Sequence, residues 1–187
     1  MERELMLSGI GGQGVQLAAQ VLARAATGEG RYVSLFGVYE GMVRGGSTRS
    51  TLVFADARIE TPPIVAKTWS LIAMHTHHFA DLEEKLRPEG FALFNSDVFE
   101  ESPPCNGARV AGVKATSVAA ALGDPMAASM VMAGAYARAT SLVSLDSLVE
   151  AMKNSVPDYR SQHIELNETA LETGFEAIGP LYSAWGN

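Results

Sequence analysis

Leu5-Met6-Leu7-Ser8 runs into Gly9-Ile10-Gly11-Gly12-Gln13-Gly14, and that into Val15-Gln16-Leu17-Ala18-Ala19-Gln20-Val21-Leu22-Ala23-Arg24-Ala25-Ala26. The first segment is a short apolar run of the kind that forms a buried strand. The second is a turn rich in the one residue that tolerates positive φ. The third is alanine-rich, with apolar residues at helical spacing. Gly28 and Gly30 close the helix, and Tyr32–Phe36 reads as a second strand of β-branched and aromatic residues. Strand, turn, helix and strand in this order predict a βαβ unit and a parallel sheet.

Outward from this unit the alternation continues. Gly37 to Gly46 reads as a loop and Ser50 to Phe54 as a strand, with Arg58 to Thr61 as a short companion before Pro62-Pro63 breaks the pattern. Leu71 to Met74 is expected as a strand and His78 to Leu86 as a charged helix. Pro88-Glu89-Gly90 is expected to turn the chain into a strand over Phe91 to Phe94, and Ala108 to Val113 to form another. Thr116 to Leu122 reads as a short helix stopped by Gly123-Asp124-Pro125. The last third is helical: Met126 to Ala139 is apolar on nearly all sides and so is expected buried, Ser144 is a candidate N-cap, and a final helix starts near Gln162 and runs toward Gly174. The expectation is one domain over residues 1–187, an α/β fold of three layers, Rossmann-like, with a mostly parallel sheet and a helical C-terminal third.

Composition narrows the function. The 187 residues are 47% hydrophobic and carry a net charge of −7, which disfavours nucleic acid as a partner. No run of 18 apolar residues or secretory leader is visible, so a cytoplasmic, non-membrane protein is expected. Cys105 is the sole cysteine, so this chain cannot by itself hold a four-cysteine iron–sulfur cluster. Cys105 sits in a Pro-rich turn with no basic neighbour in sequence and reads as inert. His75, His77 and His78 are open to a metal or a plain polar turn. Met126, Met130 and Met132 read as core filler, and Tyr182 and Trp185 as an exposed partner anchor or a frayed tail.

Gly9 to Gly14 satisfies G-x-G-x-x-G in the setting the motif needs, after a strand and before a helix whose N-terminus favours an anion. A dinucleotide site also wants an acid at the end of the second strand, and none occurs before Glu40. No lysine follows the glycines, so it is not a nucleoside-triphosphate loop. A phosphate-bearing ligand, a structural turn and a dinucleotide remain open at this point. Arg44-Gly45-Gly46-Ser47 follows the second strand, at the same sheet edge, where a guanidinium could meet phosphate or carboxylate.

At these two loops the chain resembles the gamma subunit, or the equivalent fused domain, of 2-oxoacid:ferredoxin oxidoreductases. The features that carry the resemblance are Gly9 to Val15, Gly30 to Phe36, Arg44-Gly45-Gly46-Ser47, Pro62-Pro63, Ser129 to Ala135 and Asn167 to Gly174. The resemblance implies a non-catalytic subunit of a complex that oxidatively decarboxylates a 2-oxoacid to an acyl-coenzyme A, with ferredoxin or another acceptor reduced. It implies coenzyme A contacts through Gly9, Gly11, Gly12, Gln13, Gly14, Arg44, Gly45, Gly46 and Ser47. It places thiamine diphosphate, Mg and iron–sulfur clusters on partners, the alpha, beta and ferredoxin-like delta subunits. Tyr39-Glu40-Gly41-Met42-Val43-Arg44 looks more like the branch that oxidises arylpyruvates than the Tyr-Gly-Pro-Glu pattern of many relatives. Trp69-Ser70 stands where relatives often carry an acid. The other function classes are a stand-alone NAD-binding oxidoreductase and a purely structural assembly subunit.

Overall fold

The computed structural model describes residues 1–39, 46–60, 64–77, 79–105 and 107–186. Six strands form one sheet: β1 (Glu2–Ile10), β2 (Tyr32–Tyr39), β3 (Ser47–Ala55), β4 (Thr68–Ala73), β5 (Leu86–Asn95) and β6 (Arg109–Val113). Their order is β2-β3-β1-β4-β5-β6. Strands β1, β4, β5 and β6 pair parallel, whereas β3 pairs antiparallel with both β1 and β2. Five strands therefore point one way and β3 alone is reversed. The expected α/β class and mostly parallel sheet are as read. The expected βαβ pair is not adjacent, because β3 lies between β1 and β2.

Apolar residues alternate along each central strand and so serve both faces. Leu5, Leu7, Leu52, Phe54, Ile72, Phe91 and Leu93 face a large core covered by α1 (Val15–Gly28), α3 (Ala115–Ala121), α4 (Ala128–Thr140), α5 (Leu145–Lys153) and α6 (Ile164–Glu176). Met6, Leu71, Ala73, Ala92 and Phe94 face a smaller one closed by Phe79 and Leu82 of α2 (Phe79–Glu83) and by Cys105. The three layers are thus unequal.

Helix α4 is the hub. All its residues except Arg138 are buried, as its unbroken apolar sequence predicts. Tyr136 ties it to the sheet through a 2.7 Å hydrogen bond between its hydroxyl and that of Ser70. Its neighbour α6 approaches backbone to backbone: a Cβ on Gly134 would overlap the Leu171 carbonyl oxygen, and one on Gly174 the Val131 carbonyl oxygen. Two glycines therefore set the spacing of this helix pair. Ser144 caps α5, its hydroxyl accepting from the Ser147 N–H at 3.2 Å.

Several boundaries differ from the sequence reading. Strand β5 begins at Leu86, so Pro88-Glu89-Gly90 is a bulge inside a strand, where register shifts between Thr68 and Ser70. The helix expected over His78 to Leu86 is the single turn α2; His78 lies outside the described residues. Arg58 to Glu60 form no strand, and Thr61, Pro62 and Pro63 lie outside the described residues. Met130 and Met132 are buried, but Met126 is 58% exposed. The C-terminal segment is neither frayed nor a free anchor. Leu181, Tyr182 and Ala184 donate backbone hydrogen bonds to Ala139 and Thr140. Trp185 Nε1 donates to the Leu142 carbonyl at 2.9 Å beneath the Arg31 guanidinium.

Candidate functional site

The glycine turn leaves β1 at the C-terminal edge of the parallel strands, where ligands of such sheets collect. Its residues divide into two sets. Gly9 is the crowded position: a Cβ there would come within 2.6 Å of Gln13 Oε1 and 3.0 Å of Met74 Cβ, so Gln13 would have to move. Gln13 folds back over the turn, accepting from the Ile10 N–H at 2.9 Å and donating to the Met74 carbonyl at 3.4 Å. Gly11 donates its N–H to the Gly46 carbonyl at 2.8 Å, and Ser47 lies opposite Ile10 in the β1–β3 ladder. The two glycine segments therefore meet at one edge of the sheet. Arg44 and Gly45 lie outside the described residues.

In the second set, a Cβ on Gly12 would meet nothing within 4 Å, whereas Gly14 is packed against Ser129. Both adopt positive φ, 99° and 72°. Both line a cleft of about 830 Å³, of the size that holds a cofactor-like molecule. The first turns of three long helices open onto it: Leu17 of α1, Ser129 of α4, and Leu166 and Asn167 of α6. None of the three helices carries a side-chain cap on its N-terminus. The N–H groups of the first turn of α1 follow Gly14 directly, so their partial positive charge is delivered into the cleft.

Two polar side chains in the wall have no internal partner. Ser129 is 2% exposed and Asn167 is 9% exposed. Both line the cleft, and neither side chain hydrogen-bonds within the described chain. Among the described residues the fully buried polar side-chain atoms without a partner are Ser8 Oγ and Arg31 Nε, so the Ser129 hydroxyl and the Asn167 amide are left open to the cleft. Gly14 is packed against Ser129, whose hydroxyl a Cβ would strike. Opposite stands the 3₁₀ turn Asp158–His163, which contributes Tyr159, Arg160, Gln162 and His163. Among the described residues Arg160 has no carboxylate within ion-pair distance, and Asp124 is the one carboxylate in the lining; it accepts from the Met126 N–H at 2.9 Å.

Sequence reading pointed to Gly12 and Gly14 and missed this opposite wall. Ser129 and Asn167 lay in stretches that carry the family resemblance but received no role. Arg160 and His163 belong to no motif. The one sequence signal for them was a polar segment after Pro157 with no capping residue before the last helix. A dinucleotide fits this edge poorly: β3 separates β1 from β2, so the end of β2 lies one strand spacing, about 4.8 Å, farther from the turn than a dinucleotide fold requires.

Elsewhere, His75 Nδ1 accepts from the His77 N–H at 3.1 Å. Among the described residues no three His, Cys, Asp or Glu side chains are grouped to hold a metal ion. Burial, reinforced by the charge of Glu83, pushes the Cys105 thiol up to about 11. Among the described residues no helix is long and apolar enough to cross a membrane.

Comparison with known proteins places these features. The family model described as pyruvate ferredoxin/flavodoxin oxidoreductase matches residues 4–177. The 2-oxoglutarate synthase subunit KorC of Methanothermobacter marburgensis is 32% identical over 185 residues, 95% of this chain and 97% of that one. The common gamma subunit of the pyruvate/ketoisovalerate oxidoreductases of Pyrococcus furiosus is 32% identical, over 92% of this chain and 95% of its own. Among solved structures, the keto/oxoacid ferredoxin oxidoreductase gamma subunit from Geobacter sulfurreducens has a TM-score of 0.81 at 27% identity, covering 95% and 96% of the two chains. The fold alone is shared with a third of a longer chain, the 2-oxoglutarate:ferredoxin oxidoreductase from Magnetococcus marinus, at a TM-score of 0.83 and 15% identity. That structure was solved with 2-oxoglutarate, coenzyme A and succinyl-CoA bound.

Proposed function

Because this chain belongs to the pyruvate ferredoxin/flavodoxin oxidoreductase family, we propose that it is the gamma-type subunit of a 2-oxoacid oxidoreductase whose cleft receives the phosphorylated end of coenzyme A. The complex converts a 2-oxoacid, coenzyme A and an oxidised acceptor into an acyl-coenzyme A, carbon dioxide and the reduced acceptor. Thiamine diphosphate and iron–sulfur clusters, held by alpha, beta and ferredoxin-like delta partners in the cytoplasm, supply carbanion stabilisation and the electron path. The task of this chain is to bind and orient.

One observation carries the reading. Ser129 and Asn167 are polar side chains with little exposed surface and no hydrogen bond to the described residues, set in the wall of a cleft onto which the first turns of three helices open. A glycine turn used for packing alone has no need of either polar side chain at the cleft wall. A pyrophosphate uses them: Gly12 and Gly14 allow the turn to approach it, α1 presents free N–H groups, and the hydroxyl and amide donate. Gly46, two residues after Arg44 in sequence, is bonded to Gly11; Arg44 itself lies outside the described residues, and its guanidinium is of the chemistry that suits a phosphate. The residues therefore fit the ligand chemically.

The test is a pair of conservative removals in the assembled complex, Ser129→Ala and Asn167→Leu. Each deletes a donor to a charged group, worth about 1.5–3 kcal/mol, so the coenzyme A KM should rise about tenfold or more. Because neither side chain has an internal partner to lose, the melting temperature should hold or rise. An unchanged KM together with a lowered melting temperature would assign both residues to structure and end the proposal.

A further inference from the structure

The rim of the same cleft carries a second kind of chemistry. Tyr159 is 75% exposed and Met126 58% exposed. Both line the cleft. Two large side chains left open to water on the lining of one cleft offer faces to a flat ring rather than to packing residues. Arg160 stands next to Tyr159, its guanidinium 5.5 Å from the ring, and has no carboxylate within ion-pair distance among the described residues. The neighbouring acids are turned to other uses or lie outside the lining: Asp124 caps Met126, and Asp158 does not line the cleft.

We propose that this rim reads the adenosine 3′-phosphate end of the carrier, with Tyr159 and Met126 holding the adenine ring and Arg160 the 3′-phosphate. The inference rests on the coenzyme A reading above and extends it from the pyrophosphate to the part of the molecule that distinguishes coenzyme A from its dephosphorylated form. Arg160 is suited to the role: a planar fork of donors on an exposed turn meets a phosphate dianion in bidentate fashion. Tyr159 offers a broad face at small entropic cost, since only two torsions need fixing.

The experiment uses the assembled complex with coenzyme A and dephospho-coenzyme A as alternative acceptors of the acyl group. Equilibrium binding of adenosine 3′,5′-bisphosphate and of 5′-AMP to the same complex is measured by calorimetry. Wild-type enzyme should favour coenzyme A over its dephospho form about tenfold in KM. Arg160→Ala should raise the coenzyme A KM to that of dephospho-coenzyme A and leave the latter where it was; Arg160→Lys should recover part of the difference. Tyr159→Ala should weaken both acceptors and both adenosine probes alike, by about tenfold, the scale of one base stacked on an aromatic ring. Tyr159→Phe, which keeps the ring, should rescue that loss. Equal effects of Arg160→Ala on both acceptors, no effect at all, or an unaltered preference for the bisphosphate over 5′-AMP would each overturn the assignment. If the Ser129 and Asn167 variants raise the coenzyme A KM while the rim variants leave the acceptor ratio intact, only this inference fails. If neither set moves it, the underlying coenzyme A reading fails.

Discussion

Gly174→Ala tests how the cleft wall is held in place. Helix α6, which carries Asn167, is spaced from α4 by Gly134 and Gly174. A methyl at position 174 would overlap the Val131 carbonyl oxygen and approach its carbonyl carbon to 2.7 Å and its Cα to 2.8 Å. The obstacle is helical backbone, not the mobile end of a side chain, so relief requires the two helices to part. Overpacking of this kind costs about 1–3 kcal/mol, toward the upper end where backbone must move. Alanine returns about 1 kcal/mol of helix propensity. The net loss is about 2 kcal/mol. For a chain of this length each kcal/mol lowers Tm by roughly 2–4 °C, so the variant should melt about 4–8 °C below wild type by scanning calorimetry. Gly28→Ala is the internal control. Gly28 is also helical, at the end of α1, but a Cβ there meets nothing within 4 Å, so its Tm should hold or rise slightly. A Gly174→Ala protein that melts at or above wild type would refute the argument that backbone contact sets the α4–α6 spacing.

Three further outcomes follow from individual contacts. Gln16 Nε2 donates to the Arg49 carbonyl at 3.0 Å while its Oε1 accepts from the fully buried Ser50 hydroxyl at 2.9 Å; Gln16→Leu should therefore cost about 2–6 kcal/mol, two orphaned groups at about 1–3 each, read as a lower urea midpoint. Glu4 is buried and pairs with Arg87 at 2.7 Å, and Arg87→Ala should destabilise more than Glu4→Gln, because only the former leaves a buried charge unpaired; equal losses in thermal unfolding would contradict this. Cys105, with its thiol pushed up to about 11, should react with a maleimide at pH 8 far more slowly in the folded chain than after denaturation. Its folded value lies above the unfolded one, so its contribution to stability is complete below about pH 9 and declines as pH climbs toward 11. Cys105→Ala should flatten that alkaline decline.

Much of the architecture was legible because periodicity is strong where burial is complete. The first strand, the glycine turn and α1 were placed correctly, as was the all-buried α4, whose apolar character on every side left it no exposed face. The antiparallel insertion of β3 was legible but unread. Only seven residues separate Tyr39 from Ser47, too few for a parallel crossover, which takes a dozen or more. Pro88 and Gly90 were taken as breakers because each is one in isolation. In the structure Gly90 sits where a Cβ would come within 2.6 Å of the Trp69 carbonyl oxygen, so the glycine permits the bulge instead of ending the strand. Half of the site was legible too. Gly12 and Gly14 belong to a contiguous motif, whereas Ser129, Arg160 and Asn167 come together only when α4 and α6 pack. No spacing along the chain encodes a contact made by the crossing of two helices. Met126 was misjudged for the same reason: its apolar side chain faces a cleft that does not exist until those helices meet.

The account depends on the cleft beyond Gly14 being the seat of the phosphorylated carrier, and amide hydrogen exchange of the assembled complex with and without coenzyme A tests that claim most directly. Protection should concentrate in three separated stretches, 12–17, 126–130 and 159–167, with 46–48 following through the Gly11–Gly46 bond. Protection confined to other surfaces, with these three stretches exchanging at the same rate in the presence and absence of saturating coenzyme A, would contradict it.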